Sequence, residues 1–423
     1  MKDAVSAFPL FGLHQLWGQV LPAPLLLLFS LSFPCSLPAQ EAETLTLSGI
    51  VRQVLTAHPR TQAAQARVQA ALGMARQARA YPNPAFTFTN NDFALERSYG
   101  LTQSLEWPFK RNYRVGVAEA EEKMAEGEQN GVRQEVIAAA REAFLGVLLA
   151  QESDRVAQAF VEATQRLQGS TEKLFQEGDI AEFEVLKAGV EARRAKTDLE
   201  KVQNQLTTAR SVLNLLLGRA IDTPLALEGS LLTPPSVPPL AELLPLAEEQ
   251  NPLLVAQRQA VEREQLNLKL AWASLVPDFS VDVARGEDRQ AGVTGPLVGL
   301  TFSFSLWDRK EGAIAAARSK VAEAEANVRA TQLQVRQTLI SAYRNWETAR
   351  GQVEAFAKGL VVQAEQAAVL AEQSYREGAG DLLGVLDAER SLLTVRRDYA
   401  QALFDRQLAW VAVERAAGIG TDQ

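Results

Sequence analysis

The chain has 423 residues and a formal net charge of −8, and it contains one cysteine and two histidines. Because the charge is negative and no basic run is present, a nucleic-acid partner is disfavoured. So few cysteines and histidines leave little from which to build a metal site or a nucleophilic catalytic site, so we expect no cofactor, no resident metal and no enzymatic activity.

The N-terminal 39 residues have the features of a secretory signal peptide. An apolar run extends from Val20 to Phe33, and Ala39 supplies a small residue for cleavage. Cys35 makes a lipoprotein the alternative, although bulky Phe33 and a proline precede it. No later stretch reaches the roughly 18 consecutive apolar residues of a membrane helix. We therefore predict a signal peptide at 1–39 and an exported protein that, if it crosses a bilayer, does so with strands.

The rest of the chain repeats one unit. Short motifs recur in the same order in both halves: His58-Pro59 as Asn251-Pro252, Pro84-Ala-Phe86 as Pro277-Asp-Phe279, Ser104-Leu-Glu-Trp107 as Phe304-Ser-Leu-Trp307, Glu177-Gly178 as Glu377-Gly378, and Val185-Leu186 as Val385-Leu386. Between the halves, a proline-rich segment cannot be helical. We predict a first repeat at 40–232, a crossover at 233–240 and a second repeat at 241–423.

Each repeat is predicted to contain a helix, two strands and a pair of very long helices. In the first repeat the helix is expected at 46–80 and the strands at about 84–108, after which proline is absent over 109–223. In the second repeat the strands are expected at about 277–307, with 285–292 as a polar hairpin loop. Proline-free stretches of this length predict helices far longer than those of ordinary globular domains.

The long helices carry apolar or small residues at alternating spacings of four and three. Two such seams are Val136, Ala140, Ala143, Val147 and Ala150, and Val202, Leu206, Ala209, Leu213 and Leu216. A mean spacing of about 3.5 residues is the coiled-coil period, and small seam residues allow close helix approach. We therefore expect a mainly α fold in which neighbouring helices form an extended wall.

The predicted strands alternate between large apolar residues and small or polar ones. Within 298–306, five large apolar residues alternate with glycine, threonine or serine. Successive side chains of a strand point to opposite faces, so one face is apolar and the other is polar. A half-buried strand of a soluble sheet has this pattern, and so does a transmembrane strand of about 9–11 residues. The lipid-facing candidates are Phe86, Phe88, Leu101, Leu105, Phe279, Val281, Val298, Leu300, Phe302, Phe304 and Leu306.

Four strands per chain are too few to close a membrane barrel. An open sheet in lipid would leave two edges of unsatisfied backbone groups, each group costing several kcal/mol. Membrane barrels begin at about eight strands, so two chains would supply eight strands and three would supply twelve. The small polar faces favour an open lumen and therefore the larger number.

The two long helical turns carry the resemblance to a known family. Residues 375–388 read Tyr-Arg-Glu-Gly-Ala-Gly-Asp-Leu-Leu-Gly-Val-Leu-Asp-Ala, and 175–188 are a weaker copy. The tyrosine, glycine and Val-Leu-Asp-Ala positions resemble the signature of TolC-type outer-membrane efflux factors. The segments 81–86 and 105–111 look most like the heavy-metal-cation branch of that family.

The resemblance implies a homotrimer with a 12-stranded β-barrel in the outer membrane and a coiled-coil-like α-barrel tunnel in the periplasm. It implies a passive exit duct of a tripartite efflux system, with outer-membrane lipid, a periplasmic adaptor protein and an inner-membrane pump of the RND type as partners. The alternatives are a periplasmic coiled-coil adaptor or a structural coiled-coil protein without a pore. Adaptors use a single hairpin flanked by β-rich modules, whereas this chain has two hairpins and few strands.

The resemblance also places the two turns at the periplasmic tip. The positions it assigns to adaptor contact are Phe175, Gly178, Val185, Leu186, Tyr375, Gly378, Val385 and Leu386. Glu184, Asp381 and Asp387 become candidates for a pore constriction, because a ring of carboxylates attracts cations. The alternative for Glu184 and Asp387 is an ordinary interaction with a helix N-terminus. Tyr375 corresponds to a tyrosine of the family's gating network, and Gly380 stands where that network has a basic residue.

Overall fold

The computed structural model describes residues 44–91, 96–304 and 307–420. The predicted signal peptide with Cys35 and the lipid-facing candidate Leu306 lie outside the described residues. The elements are β1 (Thr44–Thr46), α1 (Leu47–Ala57), α2 (Pro59–Arg79), β2 (Ala85–Asn91), β3 (Glu96–Leu105), α3 (Pro108–Glu177), α4 (Glu182–Leu216), β4 (Ala226–Glu228), α5 (Leu240–Gln250), α6 (Pro252–Ala273), β5 (Phe279–Asp288), β6 (Val293–Phe302), α7 (Glu311–Ala355), a π-helical segment (Phe356–Leu360), α8 (Val361–Arg376) and α9 (Leu382–Ala417).

The helix predicted at 46–80 is two helices, so that prediction was wrong in its continuity. The chain breaks at His58, whose backbone is extended, and Pro59 begins α2. A residue before proline is pushed out of the helical region, and proline is well tolerated in the first helical turn. His58 accepts a hydrogen bond from the backbone N–H of Arg60 at 3.2 Å. Asn251 does the same before α6, accepting from Leu253 at 3.1 Å.

The helices after the strands reach the predicted lengths. α3 has 70 residues, so it is about 105 Å long at 1.5 Å per residue. The corresponding helix of the second half is divided, because the π-helical segment lies between α7 and α8. None of the helices in the described residues is both long enough and apolar enough to cross a membrane.

The four larger strands form one antiparallel sheet in the order β2-β3-β5-β6. Within this sheet the two halves of the chain meet at the β3–β5 pair, in which Leu105 lies opposite Phe279 and Glu96 opposite Asp288. β5 continues through Asp288, so the hairpin loop predicted at 285–292 is shorter than expected. Cross-strand pairing extends the strand there, since Arg97 of β3 faces Glu287 of β5.

The strand register separates the two faces of the sheet as the alternation predicts. Phe86 lies opposite Leu101, Phe279 opposite Phe302, and Val281 opposite Leu300, so the large apolar side chains share one face. The other face carries mainly small or polar residues: Thr87, Thr89, Ser98, Gly100, Thr102, Ser280, Asp282, Ala284, Gly299 and Thr301.

The main core lies between α1, α3, α4 and α9. Most members of the two predicted seams are buried or partly buried in it: Val136, Ala140, Val147, Leu206 and Leu213 are buried, and Ala143, Ala150, Ala209 and Leu216 pack against them. Residues 229–239, which include most of the predicted crossover, contain neither helix nor strand. Arg406 of α9 holds this segment by donating hydrogen bonds to the carbonyl oxygens of Leu231 and Leu232 at 3.1 and 3.2 Å.

Candidate functional site

The two turns between long helices have the same backbone geometry. Gly178 ends α3 with a φ of 87°, and Gly378 follows α8 with a φ of 72°, in the left-handed region that glycine adopts most easily. In the first turn, the backbone N–H of Asp179 donates to the carbonyl of Leu174 at 2.9 Å. In the second, the N–H of Ala379 donates to Ser374 at the same distance. These bonds satisfy the last carbonyls of each helix and reverse the chain.

The two turns differ at the start of the returning helix. Asp381 is the N-cap of α9, and its carboxylate accepts a hydrogen bond from the backbone N–H of Gly384 at 3.0 Å. The equivalent position before α4 is Ala181, which has no side-chain oxygen with which to cap a helix. Asp381 therefore caps α9 with its side chain.

The side chains of the second turn form a small core. Tyr375, Leu382, Val385 and Leu386 are buried together with Leu167 of α3 and Ala188 of α4. Tyr375 retains 5% of its exposure and Leu386 retains 1%. An adaptor contact was predicted for Tyr375, Val385 and Leu386, but their side chains are not accessible in the chain by itself. They join the second hairpin to the first.

Two of the corresponding side chains of the first turn are exposed, whereas Val185, the counterpart of Val385, is half-buried. Phe175, the counterpart of Tyr375, is 43% exposed, and Leu186, the counterpart of Leu386, is 62% exposed. Phe183 and Leu383, which the sequence analysis did not select, are also exposed apolar residues in the first turns of α4 and α9. Apolar side chains clustered in exposed turns are typical of a binding surface.

A hydrogen bond made by the Tyr375 side chain joins the two hairpins. The Tyr375 hydroxyl donates to Oε2 of Glu184 at 3.1 Å, across 191 residues of sequence. Burial and, second, the neighbouring Glu184 carboxylate raise the pKa of Tyr375 to about 12. The hydroxyl is therefore a hydrogen-bond donor at neutral pH. The structure thus brings together two predicted residues, Tyr375 and Glu184, from different repeats.

A second link lies one heptad further along α4. The Arg390 guanidinium makes two hydrogen bonds to the Glu191 carboxylate, with Nε to Oε1 at 2.8 Å. The Arg390 hydrogen bond lowers the pKa of Glu191 despite burial. The hydrogen bond to Glu191 is the main cause that raises the pKa of Arg390, and the charge of Asp387 adds to it. This pair was not among the predicted site residues, because its two members lie 199 positions apart in the sequence.

Another charged group, Glu389, lines a cavity of about 410 Å³ between α3, α8 and α9. Burial is the main cause that raises the pKa of Glu389, and the Glu372 carboxylate of α8 adds to it. Arg166 of α3 and Arg396 of α9 act in the opposite direction. Arg396 is bonded to Glu365 at 2.8 Å, and Arg376 is bonded to Glu372 at 2.5 Å, so two of the charges that face Glu389, those of Arg396 and Glu372, are already paired.

The sheet is fixed to the helices at the start of α3. The indole N–H of Trp107 donates to the carbonyl of Pro277 at 2.8 Å. The buried ammonium of Lys110 makes an ion pair with Asp278 at 2.8 Å. The two repeats are thus tied where the strands meet the helices.

The polar face of the sheet carries a half-buried carboxylate, Asp282, that was not among the predicted site residues. Asp282 accepts hydrogen bonds from the hydroxyl of Thr102 at 2.6 Å and from Thr301 at 3.4 Å. Across the described ranges 44–91, 96–304 and 307–420, no three or more His, Cys, Asp or Glu side chains group closely enough to hold a metal ion.

Comparison with known proteins identifies the family. Residues 50–219 and 243–419 both match the model of the family described as outer membrane efflux protein. The chain belongs to this family. The efflux protein is 26% identical over 384 residues to the cobalt-zinc-cadmium resistance protein CzcC of Cupriavidus metallidurans, covering 90% of this chain and 92% of that protein. It is 24% identical over 365 residues to the alkaline protease secretion protein AprF of Pseudomonas aeruginosa, covering 81% and 74%.

The fold of the efflux protein also matches a solved structure. The outer membrane protein VceC of Vibrio cholerae superposes with a TM-score of 0.74 at 20% identity, covering 89% of this chain and 97% of that chain. The efflux protein is thus a mainly helical outer-membrane efflux channel, and its family consists of channels and not of enzymes. The resemblance stated from the turn motifs is confirmed. The alternatives of a periplasmic adaptor and a poreless structural protein are set aside by the family match.

Proposed function

We propose that this efflux channel is a homotrimer whose three four-stranded sheets close into one 12-stranded barrel. The observation that carries the proposal is the sheet β2-β3-β5-β6, which has one apolar face and one face of small and polar residues. The apolar face fits outer-membrane lipid, and the polar face fits a water-filled lumen. The long helices α3, α4, α7, α8 and α9 would then form the periplasmic tunnel.

The two edge strands of the sheet give the physical reason for assembly. In the part of the chain that the structure describes, β2 and β6 each have one edge without a strand partner. Every unsatisfied backbone group in lipid costs several kcal/mol, so an open sheet of this size is unstable there. Pairing β6 of one chain with β2 of the next removes all edges when the ring closes.

The test of the assembly is the migration of the purified protein. We expect extraction from outer membranes to require detergent, and unheated samples to migrate as a trimer that becomes a monomer on boiling. A mature protein that is monomeric and dissolves without detergent would refute the proposal.

We infer that the turns meet a periplasmic adaptor and that an inner-membrane pump, of the RND type, supplies the energy. Exposed Phe175, Leu186 and Phe183 would contact the adaptor. Buried Tyr375 and Leu386 would instead hold the second turn in shape. This division revises the predicted contact set according to which side chains are accessible.

We propose metal cations as the cargo. Support comes from the resemblance of segments 81–86 and 105–111 to the heavy-metal-cation branch of the family, and from the similarity of the chain to a cobalt-zinc-cadmium resistance protein. Asp282 would place three carboxylates in the lumen of a trimer, a charge that favours cations.

A deletion strain separates this cargo from others. We expect the strain to be more sensitive to cobalt, zinc and cadmium salts, and its sensitivity to organic toxicants to be unchanged. Restoring the protein should reverse the effect. Greater sensitivity to organic toxicants alone would refute metal cargo and leave the trimeric channel standing.

A further inference from the structure

The strand register at the junction between two subunits can be inferred from the β3–β5 strand pair inside one chain. The β3–β5 pair joins the last strand of the first hairpin to the first strand of the second hairpin. In the proposed trimer, β6 of one subunit meets β2 of the next, which again joins a last strand to a first strand. The inner junction is therefore a template for the outer one. This inference rests on the proposed trimer.

Corresponding positions of the two hairpins follow from the observed registers. Phe86 and Phe279 occupy the same place after the repeated proline motif. Phe86 lies opposite Leu101, and Phe279 lies opposite Phe302, so Leu101 corresponds to Phe302. By the same step, Thr102 corresponds to Ser303 and Gln103 to Phe304.

Each residue pair of the β3–β5 junction then gives the corresponding pair between β6 of one subunit and β2 of the next. Thr102 lies opposite Asp282, and Asp282 corresponds to Thr89. Gln103 lies opposite Val281, and Val281 corresponds to Phe88. We propose that Ser303 lies opposite Thr89 of the partner subunit, on the lumen side, and that Phe304 lies opposite Phe88 of the partner subunit, on the lipid side.

The pleat of the sheet independently excludes the neighbouring register. Matching the repeats by Trp107 and Trp307, as the sequence suggests, shifts the correspondence by one residue and places Phe304 opposite Thr87. Thr87 is on the polar face, and directly opposed residues share a face, so that register would mix lipid-facing and lumen-facing side chains. The second repeat is therefore one residue shorter between the strand and Trp307.

The junction between two subunits explains two exposed aromatic residues. In the single chain Phe88 and Phe304 are 60% and 69% exposed. In the proposed register they form a cross-strand aromatic pair at the lipid surface, and Ser303 and Thr89 place two hydroxyls where the template has Thr102 and Asp282 bonded at 2.6 Å. Because β6 ends at Phe302 in the single chain, we expect pairing with β2 to extend it through Phe304.

Cysteine pairs test the register in the full-length protein in outer-membrane vesicles. Cys35 is the only native cysteine, so single-cysteine variants control for it. With a mild oxidant, Ser303→Cys/Thr89→Cys should convert most of the boiled, non-reduced protein from monomer to cross-linked trimer. Ser303→Cys/Thr87→Cys is the matched control, because residues two positions out of register are about 7–8 Å apart at Cα, too far for a disulfide.

A second pair protects the test against a variant that does not assemble. Phe304→Cys/Phe88→Cys probes the same register from the lipid face and should also cross-link. Unheated migration of each variant reports the trimer separately. Cross-linking of the control pair alone, or trimers in which neither proposed pair cross-links, would overturn the register. Absence of trimers in the unmodified protein would overturn the proposed function instead.

Discussion

Tyr375→Phe isolates the hydrogen bond between the two hairpins. The substitution keeps the ring in the buried cluster and removes only the hydroxyl that donates to Glu184 at 3.1 Å. A hydrogen bond to a charged acceptor contributes about 1.5–3 kcal/mol. Since the Glu184 side chain is half-buried and water can reach it, we take the lower end, about 1.5 kcal/mol per chain, or about tenfold in the equilibrium for separating the hairpins. If three turns separate together, the factor is about a thousand.

Single-channel recording in planar lipid bilayers measures this separation. We expect purified Tyr375→Phe trimers to occupy high-conductance states far more often than the unmodified channel. The raised pKa of Tyr375, about 12, means that the link is complete below the ordinary tyrosine pKa of about 10 and is lost as the pH rises through 12. Neutral buffers therefore give the full effect. Phe175→Tyr, which alters the exposed counterpart in the first turn, is the control and should conduct like the unmodified channel.

A double-mutant cycle decides whether the bond itself is responsible. Glu184→Gln weakens the acceptor, so Tyr375→Phe added to it should have little further effect. Unchanged conductance in Tyr375→Phe would refute the reasoning. So would fully additive effects of the two substitutions, because independent sites do not share a bond.

Three further predictions follow from burial, backbone conformation and charge. Leu386→Ala should lower the free energy of unfolding by about 2–5 kcal/mol and impair efflux while trimers still form, because Leu386 is buried. Leu186→Ala, at the exposed counterpart, should leave thermal unfolding unchanged. Equal shifts of the melting temperature in the two variants would contradict the assigned burial. Gly378→Ala should lower the free energy of unfolding by about 1–2 kcal/mol, because Gly378 has a positive φ. Gly351→Ala, in open space within α7, should raise it slightly. Denaturant unfolding measures both changes, and changes of the same sign in the two variants would refute this prediction. Glu389→Gln should raise the melting temperature at neutral pH. Because the pKa of Glu389 is raised in the folded protein, this carboxyl stabilises the fold when protonated and loses that contribution as the pH rises through its folded pKa. The difference in melting temperature between Glu389→Gln and the unmodified protein should therefore vanish below about pH 4.3. A difference that does not depend on pH would exclude titration as the cause.

Much of this fold could be predicted from local sequence properties. The repeated motifs predict the duplicated order of elements, and the two-residue alternation predicts which residues share a face of the sheet. Gly178 and Gly378 mark the helical turns because few other residues adopt a positive φ. The break at His58-Pro59 could also have been predicted, since proline disfavours a helix before it, but the helix was predicted to run through it from 46 to 80.

What the sequence by itself determined are the features set by residues close together along the chain: strand faces, helix lengths and turns. Only the tertiary structure decided which of two similar turns is buried, because Leu386 packs against Leu167 and Ala188 of the other hairpin while Leu186 has no such place. It also decided the Glu191–Arg390 pair, whose members are 199 positions apart. Repeated motifs encode equal local conformations, but the neighbours that surround each copy differ, and burial, ion pairing and strand register depend on those neighbours.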